Sequence, residues 1–252
     1  MNTVNAPISF SNQVLELLGR VEYRLAETKE DKQAIYRLRH ECYLREGAIK
    51  PNKSGLFRDR FDAAPNVWIF GIYLDNKLVS SIRIHAANKA NPISPGMDVF
   101  GDVLAPRIEA GETVIDPTRL VVDHEASRAY PYLAYATVRL GFMASEYFRA
   151  DLGLATVRTE HRAFYRRLFF MQAMGEPRHY PGLKKPINLL GIHYPSVHEK
   201  IVARYPFMVS SAVERGFLFD RHQPAHAVPA RIDASRSILT PSPASGQVSA
   251  AA

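Results

Sequence analysis

The chain has 252 residues, 46% hydrophobic and 23% charged, which suits one full α/β domain with a substantial core or two small domains. Its one cysteine, Cys42, excludes an intrachain disulfide, and no stretch approaches the roughly 18 consecutive apolar residues that span a bilayer. A net charge of +7 favours acidic partners: nucleic acid, an anionic membrane surface or an acidic protein.

The first eleven residues carry no basic residue followed by a long apolar run, so no secretory signal is read there and a cytoplasmic location is expected. Phe10, Val14, Leu17 and Leu18 share one face of a short helix, with Ser11 as its cap and Gly19 as its stop. Residues 1–20 thus form an N-terminal amphipathic element ahead of a domain over 21–220. Val21, Tyr23 and Leu25 alternate as a first strand. Thr28 and Asp31 then open a helix that runs to about Leu44, with Ala34, Ile35, Leu38, Cys42 and Tyr43 at helical spacing. Within that apolar stripe Cys42 reads as a structural thiol.

Residues 45–65 read as a loop. Two strands, 67–74 and 77–87, are joined by the turn dipeptide Asp75-Asn76. Residues 88–112 are rich in Pro and Gly, with a short helix near 97–104. A strand over 113–123 is interrupted by Pro117. Residues 131–150 predict a long apolar helix with Pro131 in its first turn. A strand over 152–160 leads into a helix over 161–172, basic on one side and aromatic on the other. A last strong strand covers 187–194, and a short helix covers 196–204. From Arg221 the composition shifts to Ala, Ser, Pro and His, and 221–252 reads as a disordered tail.

Alternating strands and helices in this order predict an α/β fold with a mixed central sheet. The order is that of the GCN5-related N-acetyltransferase (acyl-CoA N-acyltransferase) fold. The 13 Phe and 12 Tyr suit either core packing or an apolar tunnel. The nine His show no ligand spacing, and no metal site is expected.

The segment Val114 to Val122 is the most informative. Asp116 and Arg119 bracket Pro117, and in a regular strand they would point to opposite faces. A bulge at Pro117 would bring them together and free backbone N–H groups for a thioester oxygen, with Leu120 and Val121 beside it. Without such a bulge, the two residues belong to an ordinary salt-bridged strand.

The run DPTRLVV, 116–122, resembles the acid-x-x-Arg strand of acyl-homoserine lactone synthases and FeeM-type N-acyl amino acid synthases. Arg39 in YRLRHECY, Asp62 after Phe61 and Arg83 in SIRIH match further motifs in order. The stretch from Glu160 to Pro186 is similar to the N-acyl amino acid synthase branch in particular, and the whole resemblance covers about 21–218. It implies an amine nucleophile attacking an acyl thioester. Arg83 and Arg119, with Arg39 third, would hold the acceptor's carboxylate, because an arginine fork binds both oxygens. Asp116, then Asp62, would take the ammonium proton. Tyr165 occupies a place similar to the tyrosine that protonates the leaving thiolate in many N-acetyltransferases, and its alternative is core packing. For His161, which opens the same helix, a site role and a helix-terminal cap stand as equal readings.

Coenzyme A-dependent members of this fold carry a glycine loop before the long helix, whose amides cradle the pyrophosphate. Here Ser127 to Leu133 holds no glycine. The expected donor is therefore acyl-phosphopantetheine on an acyl carrier protein, with acyl-CoA as the alternative and no tightly bound cofactor. Arg158, Arg162, Arg166, Arg167, Lys184 and Lys185 would bind the acidic carrier, if they are not simply a solvated face. The amino acid is the second substrate. Nucleic acid is not an expected partner, since no recognition motif accompanies the basic cluster. Peripheral membrane contact, a lactone synthase and a non-catalytic member of the fold are the open alternatives.

Overall fold

A computed structural model describes residues 9–221. The tail reading therefore lies, from residue 222 onward, outside the described residues. In chain order the elements are α1 (Phe10–Leu18), β1 (Val21–Leu25), α2 (Lys29–Arg45), β2 (Val67–Leu74), β3 (Lys77–Ala87), α3 (Pro95–Glu109), β4 (Val114–Val122), α4 (His124–Ala129), α5 (Leu133–Tyr147), β5 (Leu152–Val157), α6 (Arg162–Phe169), β6 (Gln172–Ala173), β7 (Asn188–His193), α7 (Tyr194–Arg204) and α8 (Ala212–Phe219). A short 3-10 turn, Arg60–Ala63, interrupts the loop after α2. Among the described residues no helix is long and apolar enough to cross a membrane.

The strands form one sheet in the order β1-β2-β3-β4-β5-β7-β6. Every neighbouring pair is antiparallel except β4 and β5, which run parallel. The Asp75-Asn76 turn has φ of 50° and 63°, the left-handed pair that a tight two-residue hairpin demands. β4 and β5 pair at Val114↔Leu152 and Ile115↔Gly153 and then part, while β4 continues on β3 and β5 continues on β7. The sheet is thus split along its middle. Pro117 stands just past the split, where a missing N–H forfeits no bond to β5.

The expected bulge is present but two residues further on. Ser81 faces Val121 and Arg83 faces Thr118, so Ile82 is opposed by both Arg119 and Leu120. Pro117 stays in register with Ile84. The bulged residue, Arg119, has φ 56°, a conformation that the proline ring, locked near −65°, cannot adopt.

Helix α5 is buried nearly all round and packs on the face of β3 and β4 that carries Ile82, Ile84 and Ile115. Gly141 permits this approach, since a Cβ there would stand 2.9 Å from the Pro117 ring. α1 seats Val14, Leu17 and Leu18 in the same core. α2 and α3 cover the opposite face, α3 through Phe100, Leu104 and Ile108.

Several boundaries differ from the sequence reading for local reasons. Ser9, not Ser11, caps α1, its hydroxyl accepting from Asn12 N. α3 spans fifteen residues because Ser94 caps it and Pro95 starts it; it is kinked at Phe100 and carries Pro106 in its second half. Pro131 lies just outside α5, whose cap position is Tyr132. α6 stops at Phe169 because Phe170 turns left-handed, φ 59°. α8 was not anticipated.

Candidate active site

The split between β4 and β5 opens into a cleft of about 460 Å³. Its walls come from the end of α2 (Glu41 to Glu46), from β4 (Pro117 to Val122) and from the end of β5, with Phe164 and Tyr165 of α6 closing one side. Arg119, Leu120, Val121 and Tyr165 all line it. A smaller apolar chamber lies behind Pro117 and Tyr165, which border both spaces.

At the Arg119 end three guanidiniums and two carboxylates form a chain. Arg39 Nη1 donates to Asp62 Oδ1 at 2.7 Å, and Arg83 Nη1 lies 3.0 Å from the same oxygen. Arg83 Nη1 also donates to Asp59 Oδ1 at 2.5 Å, and its Nε donates to Thr118 Oγ1 at 3.1 Å. Arg119 Nη2 then donates to Asp59 Oδ2 at 2.6 Å. The carboxylates are set by a capping box on the 3-10 turn: Asp59 Oδ1 accepts from Phe61 N, and Asp59 N donates to Asp62 Oδ2.

Burial opposes charge on Asp59 and Asp62, but the neighbouring guanidiniums outweigh it and hold both carboxyls below the usual range. Arg39 is wholly buried, and its Nε and Nη2 have no hydrogen-bond partner among the described residues. Three cations against two anions leave the chain one positive charge in excess. Arg119 is the cation of this chain that lines the cleft.

Three aromatic rings surround the Arg119 guanidinium, with centroids 4.4 Å (Phe57), 5.3 Å (Tyr180) and 5.5 Å (Tyr43) from its central carbon. Asp59, Phe57 and Tyr180 were missed by sequence reasoning. For Asp59 a signal existed: Asp59 and Asp62 stand three apart, the spacing of a capping box.

Asp116 and Arg119 share no hydrogen bond. Asp116 is fully buried on the α3 side, where its Oδ2 accepts from Gly96 N at 2.7 Å. Burial pushes its carboxyl up, against the Gly96 N–H. Neither Asp116 nor Asp62 lines the cleft. His85 faces Asp116 across the strands, and burial holds its imidazole down at about 3, so it is neutral. The Cys42 thiol lines the cleft but donates to Val122 O at 3.4 Å, and burial pushes it up to about 12.

The basic residues are dispersed. Arg158 lies in the cleft wall, paired with Glu46 at 2.5 Å, and its Nη2 lies 2.9 Å from His161 Nε2. His161 stands at the cap position of α6 without a side-chain cap bond, so the capping role is not the one it fills. Arg166 and Arg167 are exposed at the end of α6, and Arg162 is half-buried with Nε unpartnered. Lys184 and Lys185 are exposed, the latter 3.4 Å from Glu160.

The family model of FeeM, an N-acyl amino acid synthase, matches residues 34–193. The chain belongs to the FeeM family. FeeM itself, from uncultured soil microbes, is similar in structure with a TM-score of 0.61 at 18% identity, covering 75% of this chain and 99% of that chain. TofI (TM-score 0.52, 11% identity, 69% and 91% covered), crystallised with an inhibitor and MTA, and MesI, described as a CoA-dependent acyl-homoserine lactone synthase (0.51, 18%, 77% and 98%), share the fold. No curated protein matches the chain by sequence. As a FeeM-family member the protein is an acyltransferase with the acyl-CoA N-acyltransferase fold, as the motif order implied.

Proposed function

We propose that this FeeM-family enzyme transfers a long acyl chain from the phosphopantetheine arm of an acyl carrier protein to the amine of an amino acid, within the β4–β5 cleft. The charge imbalance of the arginine chain carries this reading. An acceptor carboxylate on Arg119 would make three anions for three cations. An amine lacking a carboxylate would leave the excess charge unanswered.

In the reaction the neutral amine nitrogen attacks the thioester carbonyl. The C–N bond forms, the C–S bond breaks and the thiolate leaves. Beyond Ile115, β4 has no β5 partner, so a backbone amide near the bulge that points away from β3 would hold the carbonyl oxygen as it gains charge; Val121 itself pairs with Ser81 on β3. Tyr165, which borders both the cleft and the chamber behind it, would protonate the thiolate; burial raises its hydroxyl, which keeps it protonated but makes it a weaker acid. The amine's own proton leaves to water at the open mouth. Asp116 and Asp62 lie behind the wall and act by positioning, Asp116 through α3 and Asp62 through Arg39 and Arg83. The acyl chain follows the apolar side past Phe164 and Tyr165, toward the chamber lined by Val138, Phe142, Leu154 and Phe169. Arg162, Arg166, Arg167, Lys184 and Lys185 would meet the acidic carrier, while Arg158, already paired in the cleft wall, faces the arm.

The test is turnover of purified protein with one long acyl chain offered on carrier protein or on coenzyme A, against a panel of amino acids, with products read by mass. The expected result is an N-acyl amino acid from the carrier, with a KM for carrier that climbs with salt. Turnover with acyl-CoA alone would overturn the donor assignment. A lactone formed from S-adenosylmethionine would overturn the acceptor assignment.

A further inference from the structure

The guanidiniums of the arginine chain are held in two different ways. Arg83 is fixed by both oxygens of Asp59, by Asp62 and by Thr118. Arg119 is anchored to Asp59 through one nitrogen, Nη2. One hydrogen bond leaves a long side chain free to turn about it. A fork that grips both oxygens of a carboxylate must be held in plane.

The rings around Arg119 supply that constraint. Tyr43 comes from the end of α2 and packs against Phe57, with centroids 4.8 Å apart. Phe57 is tied to α2 by its own N–H, which donates to Tyr36 O at 3.0 Å. Tyr180 comes from the strap between β6 and β7 and is buried against the third side. The strap is itself well fastened. Arg178 pairs through both oxygens with Asp102 on α3 and exchanges backbone bonds with Ile187. Lys184 N donates to Ala48 O beyond α2. Leu183 and Ile187, at the strap's far end, line the cleft. The strap therefore links the cleft wall to the cage.

We propose that Tyr43, Phe57 and Tyr180 are positioning residues, whose rings hold the Arg119 guanidinium in the plane that meets the acceptor's carboxylate. This rests on the reading of Arg119 as the carboxylate-binding group. Tyr180 does not line the cleft, so its effect passes through Arg119. The cage selects for the carboxylate, not for the acceptor's side chain, because it touches no part of the cleft where that side chain would lie except through Tyr43.

The experiment compares two acceptors, an amino acid that the wild type uses and its decarboxylated amine, for wild type, Tyr180→Phe, Tyr180→Leu and Phe57→Leu. Each kcat/KM is read from acylated product. Wild type is expected to prefer the amino acid. Removing one ring face is expected to lower that preference about tenfold, chiefly through KM for the amino acid, with the KM for donor unchanged. Tyr180→Phe keeps the ring and is expected to keep the preference. Phe57→Leu, at a half-buried loop position, gives the same reading where Tyr180→Leu fails to fold. A loop variant that slows both acceptors by one factor, or leaves the preference intact, overturns the cage. An unselective wild type overturns the Arg119 reading and the cage with it, so the two failures are told apart by the wild-type ratio.

Discussion

Asp59 Oδ2 accepts from Arg119 Nη2 at 2.6 Å across sixty positions of sequence. This contact ties the loop after α2 to the bulge of β4. It also offsets the cost of a left-handed arginine, about 1 kcal/mol. Asp59→Ala is expected to leave two guanidiniums short of a partner. The expected stability loss is about 2–3 kcal/mol, discounted because the carboxylate is partly exposed, and turnover is expected to fall at least about tenfold. Urea unfolding beside an activity assay checks both.

The same carboxylate sets a pH dependence. Its folded pKa lies below the unfolded value of about 3.9, since Arg83 and Arg119 outweigh burial. The stability it contributes is complete above that unfolded value and is lost as pH falls through it toward the folded one. Wild type is expected to weaken more steeply than Asp59→Asn below about pH 4. Parallel acid-unfolding curves would contradict the pairing.

Asp116 behaves in the opposite sense. Burial raises its pKa, so the fold favours the protonated form, and that preference turns into a cost as pH rises past the unfolded value. Asp116→Asn keeps an oxygen for Gly96 N. It is expected to be no less stable than wild type at pH 8 and to keep more than about a tenth of the activity. A loss as deep as that of Arg119→Ala would make Asp116 the proton acceptor.

Tyr165→Phe removes the hydroxyl that would protonate the thiolate. The expected result is a drop in kcat of about tenfold or more with KM for the amino acid unchanged, the range of a general acid. No change in kcat would reduce Tyr165 to a wall residue.

Cys42 faces the cleft, yet with its thiol pushed up to about 12 it carries almost no thiolate near neutrality. Cys42→Ala is expected to keep turnover, and the wild type incubated with acyl donor alone is expected to show no acyl adduct by intact mass. A stoichiometric thioester at Cys42 would replace direct transfer with an acyl-enzyme.

Residues on periodic elements were legible from the sequence. Periodicity marked α2 and β3, and within them Arg39 and Arg83 were singled out by their resemblance to family motifs; the structure joins both to Asp62. What periodicity does not carry was missed. Asp59 and Phe57 lie in a loop whose shape comes from a capping box and from bonds to α2, and Tyr180 lies in an irregular strap. Pro117 drew the bulge to itself because proline disrupts ladders. The structure instead keeps it in register beside the split and bulges at Arg119, the residue able to turn left-handed. Asp116 was paired with Arg119 on that displaced bulge. With the bulge moved, Asp116 keeps its regular place on the α3 side.

The most direct test of the account is mass spectrometry of lipid extracts from bacteria expressing wild type or Arg119→Ala. New N-acyl amino acids with wild type, absent with a folded Arg119→Ala protein, are the expected result, and they name both chain and acceptor. The same N-acyl amino acids at equal yield from both proteins would contradict the central claim that Arg119 holds the acceptor's carboxylate in the β4–β5 cleft.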